Sequence, residues 1–272
     1  MNNSFDQIKN LKKIHFIGIG GSGMYGIAEV LLNLGCSVSG SDLIQSTITK
    51  RLKSLGVKIY NTHSESNLKK VDLVVFSNAI KKNNPELRFA EKNKITIIPR
   101  AKMLAELMRF KYGITVAGSH GKSTTTSLIS WILAESKLDP TYIVGGKLKS
   151  SNNHGRLGHG KYLIAEADES DSSFLYLSPE LGVITNIDNE HLDNYDNNFN
   201  NLQKAYLTYI NNIPFYGRIF INGDDKNIKP IIKKTNRSKV TFGFNDKNDF
   251  YAKNIIYNKN GMSFLILNNG ST

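Results

Sequence analysis

The sequence predicts an α/β fold: a Rossmann-like domain followed by a phosphate-loop-type α/β domain, both built on parallel sheets. Three observations carry this expectation. Strand-like apolar runs alternate with helical stretches through most of the 272 residues, the signature of parallel sheets covered by helices. Two of those runs open directly into a glycine loop and then a helix, once after Ile17 and once after Ala117. The composition, 40% hydrophobic and 21% charged, supplies a sizeable core and excludes intrinsic disorder. At roughly 150 residues per domain the length fits two domains.

The elements follow in order. Ile14, His15, Phe16 and Ile17 form the first predicted strand, and the glycine cluster from Gly18 to Gly23 leads into a helix over 24–34. Gly35 stops that helix as a C-terminal cap, and a strand follows at 36–40. A helix at 48–55, strands at 57–60 and 71–76, a helix at 85–92 and a strand at 95–98 complete the first domain, residues 1–110. The second domain, 111–272, opens with its own strand at 112–117, a glycine-lysine loop and a helix at 123–136. Strands at 162–165, 181–185 and 218–222, with a helix at 200–210, continue the pattern. The tail at 250–267 reads as short antiparallel strands turning at Asn260-Gly261. Trp131 and the leucines around it are expected in the core.

Several classes are excluded. A single cysteine, Cys36, rules out a disulfide framework and a four-thiolate zinc site. The polar first 13 residues do not read as a secretory signal, and no run approaches the ~20 apolar residues of a bilayer span. A soluble, cytoplasmic protein is expected, without membrane insertion. The net charge of +12 is spread over scattered pairs such as Lys12-Lys13, Lys81-Lys82 and Lys233-Lys234. A nucleic-acid binder concentrates its charge on one stripe, so no nucleic-acid partner is expected.

The first loop, Gly18-Ile19-Gly20-Gly21-Ser22-Gly23, is a G-x-G-x-x-G between a strand and a helix. Glycines admit a diphosphate to the backbone, and the helix N-terminus favours the anion. Asp42 ends the second strand at the position of a ribose-binding acid. Taken alone, the loop reads as a dinucleotide site for NAD, or as a tight turn with Asp42 capping a helix. Arg100, after Pro99 at a strand end, either holds an anion or extends its charged head to solvent.

The second loop is more specific. Gly118-Ser119-His120-Gly121-Lys122-Ser123-Thr124 follows a strand and begins a helix. In a phosphate loop, backbone N–H groups cradle the phosphates, the lysine neutralises β/γ oxygens and the hydroxyl ligates Mg²⁺. The glycine spacing is shorter than the standard one, because Gly118 stands three residues before Gly121. Downstream, Glu166, Asp168, Glu169 and Asp171 cluster at the end of a strand, where a phosphate-loop domain places a Mg²⁺ ligand. A further segment, Thr185 to Asp193, holds Asn186 and His191. His191 by itself fits either a metal or phosphate ligand or a helix-capping surface histidine. His154 and His159, in a glycine-rich stretch, match no metal signature.

Taken together these segments resemble the Mur ligases. The stretches that carry the likeness are IHFIGIGGSGMYGIAEVLLNLG with VSGSD, then IPRAKMLAELM, VAGSHGKSTTT, EADESDSSF and TNIDNEHLDNY, in that order across about residues 14–195. The resemblance implies that the first domain holds a UDP-sugar rather than NAD, with Gly20, Gly21 and Ser22 at the diphosphate and Asp42 and Arg100 at the same substrate. It implies that residues 118–124 bind ATP phosphates and that Lys122 stabilises the γ-phosphoryl group. Ser123, standing where the family often has Thr, would ligate Mg²⁺ with Glu166 and His191, and Asn186 would lie near substrate and phosphates. The implied substrates are UDP-N-acetylmuramate and L-alanine, joined through an acyl phosphate with ATP and Mg²⁺. A murein-tripeptide ligase of the same family, a folylpolyglutamate synthase and an NAD-dependent oxidoreductase are the alternatives. The family carries a C-terminal domain for the incoming amino acid that these 272 residues do not include. An ATP-dependent ligase whose chain is truncated is therefore expected, with negligible L-alanine-dependent turnover by these residues alone; a non-catalytic nucleotide-binding fragment is a further alternative.

Overall fold

A computed structural model describes residues 13–21, 23–144, 155–259 and 261–269. They fall into two compact units, one drawn from 1–112 with 126–165 and the other from 113–125 with 166–272.

In the first unit, β1 (Lys13–Ile17), β2 (Ser37–Ser41), β3 (Lys58–Tyr60), β4 (Leu73–Phe76) and β5 (Thr96–Pro99) form an all-parallel sheet in the order β3-β2-β1-β4-β5. The chain steps outward from β1 in one direction and then returns to pair β4 on its other side. This order reversal puts the glycine loop after β1 at the crevice where such sheets bind ligands. The strand faces are sealed by fully buried Ile14, Phe16, Ile17, Val74 and Val75 together with Ile27 and Leu31 of α1 (Met24–Asn33). Each such side chain contributes about 1.5–3 kcal/mol. Gly35 takes φ +88°, the left-handed conformation expected of the cap.

Helix α2 (Thr47–Ser54) starts at a capping box between Ser46 and Thr49. Helix α3 (Pro85–Lys92) starts with Pro85 in its first turn and Asn84 accepting from the Glu86 and Leu87 amides. Helix α4 (Arg100–Met108), absent from the predicted elements, buries Ala101, Leu104 and Met108 with Met103 and Leu107. Its apolar period runs through a stretch that reads first as a motif and only second as a helix.

Compactness divides the chain differently from the boundary expected near residue 110. Strands β7 (Thr141–Ile143), β8 (Gly155–Arg156) and β9 (Tyr162–Glu166) belong, up to Ala165, with the first unit. The reason is close packing on α1: a Cβ at Gly155 would stand 2.6 Å from the Gly26 Cα. Lys111 closes the β8–β9 turn, donating to the Gly158 and Gly160 carbonyls at 2.7 and 2.5 Å.

In the second unit, β6 (Tyr112–Ala117), β10 (Leu181–Ile184), β11 (Arg218–Asn222) and β12 (Ser238–Gly243) run parallel, and β13 (Phe250–Asn258) pairs parallel with β12. β14 (Gly261–Asn268) returns antiparallel to β13, as the tail pattern predicts. Helix α6 (Phe199–Asn212) turns Tyr206 and Tyr209 into the core, where Phe174 packs on both at 5.2 Å between ring centroids. Tyr209 satisfies its buried hydroxyl on Thr115, at 2.5 Å. A short helix, α7 (Lys229–Ile232), precedes β12.

Helix α5 (Lys122–Glu135) corrects the sequence reading. Trp131 is 50% exposed, with Leu128 and Ile132 exposed beside it, so this is not core. The inward face instead carries Thr126 and Ser130. Small hydroxylated residues let the helix lie close, and Ser130 spends its hydroxyl on the Thr126 carbonyl at 2.8 Å. Among the described residues no helix is long and apolar enough to cross a membrane.

Candidate functional site

In the first unit the glycine loop is held from below by the end of β2. The Ser41 carbonyl accepts the Gly18 and Ile19 amides at 2.8 and 3.2 Å. Asp42 accepts the Gly20 N–H on Oδ2 at 2.8 Å and the Ile44 N–H on Oδ1 at 2.9 Å. Both carboxylate oxygens therefore brace backbone, and in this structure Asp42 shapes the loop. The Gly21 amide turns back to the Gly18 carbonyl at 3.1 Å. Gly23 has φ +78°, and a Cβ there would stand 2.6 Å from Arg100 Nη1. Glycine thus lets the guanidinium come up to the loop at the start of α1. The structure brings Gly20, Gly21, Asp42 and Arg100 to one edge of the sheet; Ser22 lies outside the described residues, as does His154.

Sequence reasoning missed the buried polar cluster under this loop. The Glu86 carboxylate, fully buried, accepts from Ser41 Oγ at 2.6 Å and Asn67 Nδ2 at 2.7 Å, with His63 Nδ1 at 3.1 Å and His15 Nε2 at 3.3 Å. Burial pushes its carboxyl pKa up. The hydrogen bonds from His15, Ser41 and Asn67 more than offset that, so the group lies below its ordinary value. No local signal marks this cluster, because its members come from β1, β2, α3 and the connection between β3 and β4. His159 lies apart from it, and its amide donates to Asp139 at 2.7 Å.

In the second unit the loop between β6 and α5 is clasped by the segment after β10. Asn186 uses both ends of its amide on His120, accepting the His120 N–H at 2.8 Å and donating to the His120 carbonyl at 3.0 Å. The Ser119 amide donates to the Asn186 carbonyl at 3.1 Å, and Ser119 Oγ accepts the Asp188 amide at 2.8 Å. Thr185 Oγ1 donates to the His120 carbonyl at 2.7 Å. Gly118 and Gly121 have φ +139° and +80°, conformations that glycine adopts freely.

Lys122 Nζ donates to the Gly118 carbonyl at 2.6 Å and to Glu169 Oε1 at 2.8 Å, with the Ser119 carbonyl at 3.4 Å. Burial raises the Glu169 carboxyl pKa against the pull of Lys122. Ser123 and Thr124 stand exposed in the first turn of α5. Glu166 ends β9, and the next residue, Ala167, donates to the Val116 carbonyl of β6 at 2.9 Å, bringing the acidic segment beside the end of β6. His191 is exposed, at φ +55°, where a 3₁₀ turn (Leu192–Tyr195) begins. His120 Nε2 lies 3.3 Å from Asp188 and 3.5 Å from Glu190. Among the described residues no three His, Cys, Asp or Glu side chains converge as a metal cage.

Two α/β units, each with a strand of a largely parallel sheet opening through a glycine loop into a helix, the second loop ending in Gly-Lys-Ser, define a Rossmann-like unit followed by a phosphate-loop-type one. The comparisons with known proteins take this further. Residues 13–112 match the model described as Mur ligase family, catalytic domain, and residues 116–272 match the Mur ligase middle domain. The chain belongs to the Mur ligase family. It is 52% identical over 245 residues to the UDP-N-acetylmuramate–L-alanine ligase of Ruthia magnifica subsp. Calyptogena magnifica, covering 90% of this chain and 52% of that one. The fold is similar to the UDP-N-acetylmuramate:L-alanyl-γ-D-glutamyl-meso-diaminopimelate ligase of Neisseria meningitidis, with a TM-score of 0.87 and 26% identity over 96% of this chain and 85% of that one. It is also similar to the UDP-N-acetylmuramate-alanine ligase of Thermotoga maritima, with a TM-score of 0.84 and 28% identity over 95% of this chain and 58% of that one. The chain spans about half the length of the curated relatives it matches.

Proposed function

We propose that these residues are the substrate- and ATP-binding portion of an ATP-dependent ligase that joins L-alanine to UDP-N-acetylmuramate for peptidoglycan synthesis. On this reading residues 1–110 bind the UDP-sugar and 111–272 bind ATP. The observation that carries it is the clasped loop: Asn186 fixes the backbone of His120, and Lys122 is held over the same turn by Gly118 and Ser119. A glycine loop held in one shape at a helix start, with an ammonium against its carbonyls, suits a polyphosphate.

The chemistry follows. The muramoyl carboxylate attacks the γ-phosphorus of ATP, giving an acyl phosphate and ADP. The alanine amine then adds to the activated carbonyl, and phosphate leaves from the tetrahedral intermediate. Two anions must approach in the first step, so Lys122 opposes their repulsion and the growing charge. The loop of residues 118–124 holds the phosphates with the amides other than those of Ser119 and His120, which are given to Asn186 and keep the loop in shape. Ser123 and Glu166 are a hydroxyl and a carboxylate near the carboxyl ends of the strands, oxygen donors that suit Mg²⁺ sharing its coordination with phosphate oxygens, and the His191 imidazole is the softer third member of the proposed set. When bound, Mg²⁺ supplies charge neutralisation at the transferring phosphoryl group.

In the first unit, the glycine loop at Gly20 and Gly21 faces the UDP diphosphate chiefly through the Arg100 charge and the start of α1, because the Gly18 to Gly21 amides already donate to Ser41, Asp42 and Gly18 oxygens, and Asp42 holds the loop in that shape. The Neisseria likeness favours a second reading, in which the incoming group is a peptide rather than L-alanine. Calorimetry with UDP-N-acetylmuramate, paired with phosphate release in the presence of L-alanine or the tripeptide, tests both. Binding of the UDP-sugar is expected, and phosphate release that depends on L-alanine and not on the tripeptide supports the first reading, the reverse the second. Absence of UDP-sugar binding by a folded sample would overturn the assignment of the first domain.

A further inference from the structure

The ammonium of Lys122 has three N–H donors, and protein oxygens already meet all of them: the Gly118 carbonyl, the Ser119 carbonyl and Glu169 Oε1. A phosphate can be served only if one of these contacts is given up. Two are neutral backbone carbonyls of the loop itself. The third is a carboxylate with only 1% of its side chain exposed, whose second oxygen, Oε2, is buried without a hydrogen-bond partner.

We propose that Glu169 is a positioning residue that parks Lys122 while the loop is empty, so that a polyphosphate must exchange the carboxylate for its own oxygens at the ammonium. The inference rests on the phosphate-loop reading of residues 118–124 and adds a gate to it. The geometry explains the gate's strength. Glu169 is fixed from behind, because Tyr195 donates its hydroxyl to the Glu169 carbonyl at 2.5 Å. Lys122 is the one cation paired with it among the described residues. Leaving that partner strands a buried charge, a cost that a single phosphate repays poorly and a chain of phosphates repays well. Glu169 therefore lowers the affinity for every ligand that engages Lys122 and favours those carrying the most charge.

The test uses Mg²⁺ with inorganic tripolyphosphate, a probe without a base, titrated calorimetrically into the 272-residue chain. Glu169→Gln keeps an acceptor for Lys122 but removes the charge, and tripolyphosphate binding is expected to tighten by about fivefold with the melting temperature retained. A residue with a merely structural role would weaken binding or leave it unchanged. Asp168→Asn removes a negative charge from the same turn without touching Lys122, and is expected to change binding by less than about twofold. Equal tightening in the two variants, or none in a folded Glu169→Gln, overturns the gate. Lys122→Met separates the two ideas: tripolyphosphate binding that survives this change defeats the phosphate-loop reading itself. Loss in Lys122→Met alongside gain in Glu169→Gln upholds both.

Discussion

Gly118 and Thr185 stand so close that a side chain at the first has nowhere to go. A Cβ on Gly118 would overlap Thr185 Oγ1, with the Asn186 carbonyl at 3.1 Å and its amide at 3.2 Å behind. Because Thr185 Oγ1 also donates to the His120 carbonyl, the threonine cannot swing away without releasing the loop.

Replacing Gly118 by Ala is therefore expected to destabilise the second unit by roughly 2–4 kcal/mol, through a φ of +139° and the collision together. Thr185→Ala in the same chain removes the collision but not the backbone strain, so it should recover only part of the loss. Chemical denaturation of the single and double variants measures both. A Gly118→Ala protein as stable as the parent would show that the loop relaxes freely.

Lys122→Ala removes the cation from the loop, and the affinity for a non-hydrolysable ATP analogue is expected to fall by roughly 2–4 kcal/mol. The comparison is made with the parent chain by calorimetry. Unchanged affinity would defeat the assignment of residues 118–124 to phosphate.

Asp42→Ala frees the Gly20 and Ile44 amides that its two oxygens now accept. Loss of both bonds should cost roughly 1–3 kcal/mol of stability and weaken UDP-N-acetylmuramate binding. Asp42→Asn keeps one acceptor and should fall between the two. If the Ala variant binds the sugar nucleotide as well as the parent at equal stability, Asp42 is not what shapes the loop.

Much of this fold is legible in the chain. The strands of the first sheet, both glycine loops and the tail hairpin follow from apolar period and turn residues, which are local properties. What escapes is non-local. Trp131 sits in an apolar run that reads as core, yet the helix buries Thr126 and Ser130 instead, because close approach favours small side chains over large ones. Glu86 reads as an ordinary acidic residue in a first helical turn. Its burial among His15, Ser41, His63 and Asn67 depends on four segments meeting. The family resemblance puts Asn186 near substrate and phosphates, and its amide is spent on the loop backbone, a role that only the fold reveals.

The Glu86 cluster gives the stability a pH dependence of definite sign. Its folded pKa lies below the ordinary value, so the unfolded chain binds the proton more readily. The stability it contributes is fully present above the unfolded glutamate range, near pH ~4.3, and is lost as pH falls through the folded pKa. The groups facing it are His15 from β1 and His63 from the loop after β3, with neutral Ser41 and Asn67 completing the shell. Glu86→Gln keeps the shape and removes the titration, so the acid limb of a melting-temperature profile should flatten relative to the parent. Glu86→Ala removes the acceptor shared by Ser41 Oγ and Asn67 Nδ2, leaving them only His63 Nδ1 and the Thr62 carbonyl, and opens a cavity, so it is expected to cost roughly 2–4 kcal/mol at neutral pH. Because Ser41 also holds the Gly18 and Ile19 amides, the same variant should weaken UDP-N-acetylmuramate binding. An acid limb as steep in Glu86→Gln as in the parent would place the proton uptake elsewhere in the molecule.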